Sequence, residues 1–129
     1  MILALRTDKP EAELYLYDGQ KKPAAIKWQA HLKLAETLNL KIQEILNKSS
    51  ISYDDLEGIA VFSGPGSFTG LRIGVSVANA LAYAQGIPII AASGEGWLAQ
   101  AVKELETSKT DKIAKPEYGA PVRVTKPRK

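Results

Sequence analysis

The stretch from Ile59 to Ala92 constrains the fold of this chain more than any other. A short apolar run, Ile59-Ala60-Val61-Phe62, leads into the loop Ser63-Gly64-Pro65-Gly66-Ser67-Phe68-Thr69-Gly70. A helical stretch follows to about Gln85, Gly86 terminates it, and a second apolar run spans Ile87 to Ala92. Two such runs joined through a helix predict parallel neighbouring strands with a right-handed crossover. Within the helix, Gly70, Gly74, Ala78 and Ala82 recur at steps of four and share one face, with Ser76, Ala80 and Ala84 in a second small row. An interior glycine costs a helix about 1 kcal/mol relative to alanine, so the stripe predicts a close approach of other backbone. The chain's own sheet can take part of it. Leu71, Val75 and Leu81 widen the apolar arc further, and the excess predicts a partner surface. A leucine at Gly74 or Ala78 is then expected to break docking and leave the monomer folded.

Around this unit the pattern is equally readable. Residues 2–5 are all apolar, as suits a central strand covered on both faces. Residues 11–17 alternate, with Leu14 and Leu16 on one side and Glu13, Tyr15 and Tyr17 on the other. Asp18-Gly19 marks a turn, and Ala24 to Trp28 alternate again with Ile26 and Trp28 inward. A helix over roughly 31–48 places Leu34, Ala35, Leu38, Ile42, Ile45 and Leu46 on one face. Ser52-Tyr53-Asp54-Asp55 has capping-box spacing. Ser93 is positioned to cap a third helix bearing Trp97, Leu98, Ala101, Val102 and Leu105. The fold class is α/β: a mixed five-stranded sheet, antiparallel meander first and parallel strands after, with three helices.

At 129 residues the chain is long enough for one domain with a core. It has no cysteine, which excludes a disulfide scaffold and thiolate metal sites and fits a reducing compartment. No apolar run approaches membrane-spanning length, and the apolar start, Met1 to Leu5, lacks the basic flank of a signal peptide. The net charge of +3 is unevenly placed. Residues 106–129 hold seven basic against three acidic side chains, whereas the other 105 residues hold ten basic and eleven acidic. The chain thus divides into a folded part, 1–105, and a basic, proline-containing tail, 106–129. With Tyr118 its sole aromatic residue, the tail reads as a solubilising or partner-docking segment ahead of a tRNA-binding one.

Chemistry-bearing groups are sparse. The loop at 63–70 precedes a helix N-terminus, which favours anions, but it lacks the Gly-Lys-Ser/Thr ending of a phosphate loop and the Gly-x-Gly-x-x-Gly spacing. A tight strand-to-helix turn is the preferred reading. Arg72 is open to an anion, a partner carboxylate or solvent. His31 is the sole histidine and has Ala35 one turn on, so it cannot make a metal site. Asp54 and Asp55 read as capping residues. No catalytic residue, metal or cofactor is expected.

The run Ser63-Gly64-Pro65-Gly66-Ser67-Phe68-Thr69-Gly70-Leu71-Arg72-Ile73-Gly74, followed by the small-residue helix and Gly86-Ile87-Pro88, resembles the signature of the TsaB (YeaZ) family. These are bacterial accessory proteins of threonylcarbamoyladenosine synthesis in tRNA. Ile2-Leu3-Ala4, the leucine-rich first helix and Leu56 to Val61 resemble the family's N-terminal, Gcp-like lobe, and the likeness covers about residues 1–105. It implies one lobe of actin-like ATPase (ASKHA, ribonuclease H-like) architecture. It further implies a cytoplasmic, non-catalytic scaffold that binds and stabilises the catalytic paralogue TsaD, with the ATPase TsaE joining the pair. The product is threonylcarbamoyladenosine at tRNA position 37, and homodimers through the same face are also implied. Carried onto this sequence, the pairing face comprises Leu34, Leu38, Ile42 and Ile45 with Leu71, Gly74, Val75, Ala78, Leu81 and Ala82.

The chain departs from the family in three places. Where members carry Asp-Thr-Ser after the first strand, Leu5 is followed by Arg6-Thr7-Asp8. Arg6 thereby replaces the aspartate that places metal and phosphate in actin-like ATPases. The two-histidine motif of the catalytic paralogue is reduced to His31. Typical members carry a second lobe of similar size, whereas in this sequence residue 105 is followed by the short tail, in which Pro116-Glu117-Tyr118 and Arg123 weakly resemble a family C-terminal ending; a shortened single-lobe form and a fragment are both compatible with this. A small nucleotide- or metal-dependent hydrolase or peptidase is the competing reading, and it would need clustered carboxylates or histidines. A tRNA-binding module acting through the tail is the third; its affinity should fall steeply with salt.

Overall fold

Alternating burial along the strands determines how the layers assemble. The computed structural model describes residues 1–18, 21–66 and 68–107. In chain order the elements are β1 (Ile2–Arg6), β2 (Glu11–Asp18), β3 (Lys21–Gln29), α1 (Leu34–Lys48), β4 (Gly58–Phe62), α2 (Phe68–Gln85), β5 (Ile89–Ala92) and α3 (Trp97–Thr107). The strands form one sheet in the order β3-β2-β1-β4-β5. β2 runs antiparallel to both β1 and β3, and β4 runs parallel to both β1 and β5. The mixed sheet and three helices expected from the pattern are therefore present.

β1 is the central strand, which explains its lack of polar residues before Arg6. Leu3 and Leu5 point to one face, together with Leu14, Leu16, Ile59 and Val61, and meet α1 and α2 there. Ile2 and Ala4 point to the other, with Tyr15, Ala60 and Phe62, and meet α3 through Trp97, Ala101, Val102 and Leu105. From α1, Leu34, Leu38, Ile42, Ile45 and Leu46 are all buried in the first cluster. Each such side chain contributes about 1.5–3 kcal/mol by leaving water. The tryptophan expected inward on β3 is partly buried, and its Nε1 donates to Thr37 Oγ1 at 3.0 Å, tying β3 to α1.

The expected capping box is formed: Ser52 N–H donates to Asp55 Oδ2 at 2.9 Å at the start of the turn Tyr53–Asp55. Three boundaries differ from expectation. Residues His31–Lys33 form a 3₁₀ turn, so α1 begins at Leu34. β5 begins at Ile89, after Pro88, which has no N–H to give a ladder. Ser93 does not cap α3: Gly94 and Gly96 have φ of 76° and 77°, outside the helical region, and α3 starts only at Trp97. From residue 108 the tail lies outside the described residues. Among those described, no helix is long and apolar enough to cross a membrane.

Candidate functional site

Two features meet where β1 and β4 end: the glycine-rich loop, and the segment Arg6-Thr7-Asp8. The loop is fastened first to its neighbour on the sheet. Ser63 N–H and Oγ both donate to the Ala92 carbonyl, at 2.8 and 3.1 Å, and Gly94 N–H donates to the Gly64 carbonyl at 3.2 Å. Gly64 is buried while Pro65 and Gly66 are exposed. Ser67 lies outside the described residues, as does the side chain of Phe68.

The glycines of the motif are seats for the β1 exit. A β-carbon at Gly66 would overlap the Asp8 side chain, and one at Gly74 would overlap Thr7 Oγ1. Thr7 is buried and its hydroxyl donates to the Gly70 carbonyl at 2.7 Å. The stripe thus answers a close approach, as expected, and the approaching group is Thr7 of the same chain.

Asp8 is buried as well, and Arg6 is its partner: Nε donates to Oδ1 at 2.7 Å and an NH2 group donates to Oδ2 at 3.1 Å. The guanidinium lies 4.0 Å from the centroid of Phe62, whose ring meets Trp97 edge-on at 5.5 Å. Hydrogen bonding to Asp8 pushes the Arg6 pKa above the ordinary guanidinium value. Lys9 pairs with Glu13 at 3.7 Å, and Tyr15 Oη donates to Glu13 Oε1 at 2.5 Å. Burial first, and that hydrogen bond second, raise the Tyr15 pKa well above its usual value. These residues do not fit a metal-bound nucleotide: the position expected of an aspartate holds Arg6, and both oxygens of Asp8 are engaged by it. Among the described residues no group of three His, Cys, Asp or Glu side chains is placed to hold a metal.

The residues expected on a pairing face lie mostly inside the molecule. Leu34, Leu38, Ile42 and Ile45 of α1, and Gly74, Val75, Ala78 and Ala82 of α2, are buried against the chain's own sheet. Leu81 is partly buried on the same cluster, and Leu71 reaches the cluster on the opposite face. The wide apolar arc is consumed internally because α2 bridges both cores at its start and α1 flanks it. What α2 turns outward is different: Thr69, Arg72, Ser76, Ala80, Tyr83 and Ala84 are exposed, with Ile73 and Val77 half-buried. Arg72 is the sole charge in this 18-residue helix. Tyr83 is 84% exposed, and Leu40 of α1 and Leu32 just before α1 are 64% and 95% exposed. A cavity of about 370 Å³ lies between the starts of α1 and α2, with Leu32, Ala35, Thr69 and Ile73 among its walls. The sequence did not single out Tyr83, nor the contact of Thr7 with α2, although Arg6-Thr7-Asp8 stood out as a departure from the family's Asp-Thr-Ser.

Comparison with known proteins places this lobe. Residues 28–114, well over half of the chain, match the family model described as TsaD: tRNA N6-adenosine threonylcarbamoyltransferase. The chain belongs to this family. Within it, the TsaB/YeaZ-like character is supported by a relative in Haemophilus influenzae, the tRNA threonylcarbamoyladenosine biosynthesis protein TsaB. That protein is 34% identical over 111 residues, which are 81% of this chain and 44% of the relative. The tRNA N6-adenosine threonylcarbamoyltransferase of Geotalea uraniireducens is 45% identical over 60 residues, 46% of this chain and 18% of that protein. Among solved structures, YeaZ from Pseudomonas aeruginosa superposes with a TM-score of 0.69 at 26% identity, covering 82% of this chain and 49% of that one. The chain therefore spans less than half the length of these family members, and the part it spans is a single actin-like lobe.

Proposed function

We propose that this chain is a non-catalytic scaffold subunit that binds and stabilises a catalytic TsaD subunit in forming threonylcarbamoyladenosine at position 37 of tRNA. The observation that carries the proposal is the outer face of α2. It offers Ile73, Val77, Ala80, Tyr83 and Ala84, with exposed Leu32 across the cavity it shares with Thr69 and Ile73, and one charge in eighteen residues. Depletion of charge around an aromatic anchor is what the centre of a protein interface shows. The docking residues are then the outward members of α1 and α2, and the inward members named above hold those helices in place. The sealing of the β1 exit by Arg6 and Asp8 supports a scaffold over an enzyme.

Size-exclusion chromatography with light scattering, on the chain alone and mixed with TsaD of the same organism, tests this. A one-to-one complex is expected. A monomer or homodimer that passes TsaD by would refute the proposal. Addition of TsaE to the pair then asks whether a single lobe suffices for the larger assembly.

A further inference from the structure

Asn79 is the polar residue of α2 that packing within the lobe does not explain. Among the described residues, the buried side-chain polar atoms without a hydrogen-bonding partner are its Nδ2 and Oδ1. Other inward polar groups find partners: Thr7 Oγ1 donates to the Gly70 carbonyl, Asp8 accepts from Arg6, and Trp28 Nε1 donates to Thr37. An amide left buried and unpaired loses its bonds to water and gains nothing in return. Asparagine is also a poorer helix former than alanine, and alanine stands at positions 78, 80, 82 and 84 of the same helix. The free lobe therefore gains nothing from an amide at this position.

Its place on the helix shows where a partner can reach it. Asn79 neighbours buried Val75 and Ala82 on one side, and exposed Ser76 and Tyr83 on the other, each three or four residues away. It thus stands on the boundary between the row packed on the sheet and the row facing solvent. The residue as a whole is half-buried, although its amide atoms are covered. A change of side-chain rotamer carries the amide toward the outer row. Ser76 and Ala80 beside it are small, so a second helix can come close there. We propose that Asn79 is a specificity-determining residue of the α2 docking face, and that the catalytic subunit meets it with a side-chain carboxamide of its own. This inference rests on the scaffold reading and adds to it the chemistry of one contact. A carboxamide both donates and accepts. Two of them side by side exchange N–H···O bonds in both directions, and each satisfies the other. A carboxylate would serve only Nδ2 and an ammonium only Oδ1, leaving the other atom of Asn79 unpaired. A partner with an apolar side chain at this point would leave both unpaired, so the amide selects against it.

The test reads the free chain and the complex separately. In Asn79→Ala the urea midpoint of the free chain should be unchanged or raised, because the substitution removes an unpaired amide and improves the helix. Calorimetric titration of the same variant with TsaD of the same organism should show binding weakened about tenfold, as the partner's carboxamide loses its match. Asn79→Asp keeps the shape and the acceptors but lacks the N–H donors, and it should bind no better than Asn79→Ala. A lowered midpoint in Asn79→Ala would overturn the proposal by showing that the amide is already paired inside the lobe. Native affinity in Asn79→Ala or in Asn79→Asp would overturn it from the other side. If the native chain itself passes TsaD by, the scaffold reading fails and this contact fails with it. If the native chain and Asn79→Ala bind equally well, the contact alone is lost and the scaffold reading stands.

Discussion

Arg6 and Asp8, two residues apart, close on each other through two hydrogen bonds of 2.7 and 3.1 Å, with the guanidinium stacked on Phe62. The carboxylate is 5% exposed and the guanidinium 24%. Removing the arginine would leave a buried charge uncompensated, a loss of about 3–5 kcal/mol when both partners are fully buried. Partial exposure of Arg6 reduces this to about 2–3 kcal/mol. Arg6→Ala should lower the urea midpoint accordingly, and Arg6→Lys should fall between, having charge without the planar fork. An unchanged midpoint in Arg6→Ala would show that the pair contributes nothing.

Gly74 makes the second prediction. Alanine there gains about 1 kcal/mol of helix propensity, but its β-carbon overlaps Thr7 Oγ1. Overpacking of this kind costs about 1–3 kcal/mol, so Gly74→Ala should destabilise on balance and Gly74→Leu should fail to fold. The sequence-based expectation of a folded monomer that merely loses docking is reversed, because this face of the helix meets β1. Thr7→Val, which removes the hydroxyl bond to Gly70, should cost about 1 kcal/mol. Thermal unfolding of the three variants ranks them.

Tyr83 separates surface from core. Its side chain is 84% exposed, so Tyr83→Ala should change stability by no more than about 0.5 kcal/mol. As an aromatic anchor at a protein interface it should weaken TsaD binding by more than about 1 kcal/mol. Calorimetric titration alongside urea unfolding reads both. Full binding by Tyr83→Ala and by Ala80→Arg together would remove the outer face of α2 from the interface.

Tyr15 sets an alkaline limit. Its pKa in the folded chain is raised above the ordinary 10.0, by burial and by the bond to Glu13. Above pH 10 the unfolded chain has released the phenolic proton and the folded chain has kept it, so unfolding loses protons and stability falls with rising pH. Stability from this group is full below pH 10 and declines from there upward. Tyr15→Phe should flatten that decline while leaving the neutral-pH slope alone. Tyr17, raised in the same direction by burial, adds a smaller share. Urea titrations from pH 8 to 11 would show an equal slope in Tyr15→Phe if this account is wrong.

Much of the architecture was legible because burial is periodic. Leu14 and Leu16 alternate with Tyr15 on β2, and Leu34, Leu38, Ile42 and Ile45 repeat at helical spacing on α1, so both elements and their inward faces could be read directly. The capping residues Ser52 and Asp55 are local in sequence and were equally readable. The candidate site was less so. A row of small residues announces a close neighbour but carries no label for it, and the neighbour, Thr7, lies more than sixty residues away. Leu71 and Leu81 widened the apolar arc, yet α2 spans two cores, which no pattern within one helix can reveal. The exposed face was the remainder after these choices, and Tyr83 became visible as an anchor only once they were known.

The bond from Thr7 to Gly70 and the seat for Thr7 at Gly74 pin one turn of α2 to the end of β1. A helix held at two points a turn apart can neither rotate nor slide along its axis without breaking one of them. Whatever docks on the outer face of α2 therefore meets a pattern whose phase is set about 10 Å beneath it, the width of the helix. A threonine that the partner never touches acts as the reference mark from which that surface is measured.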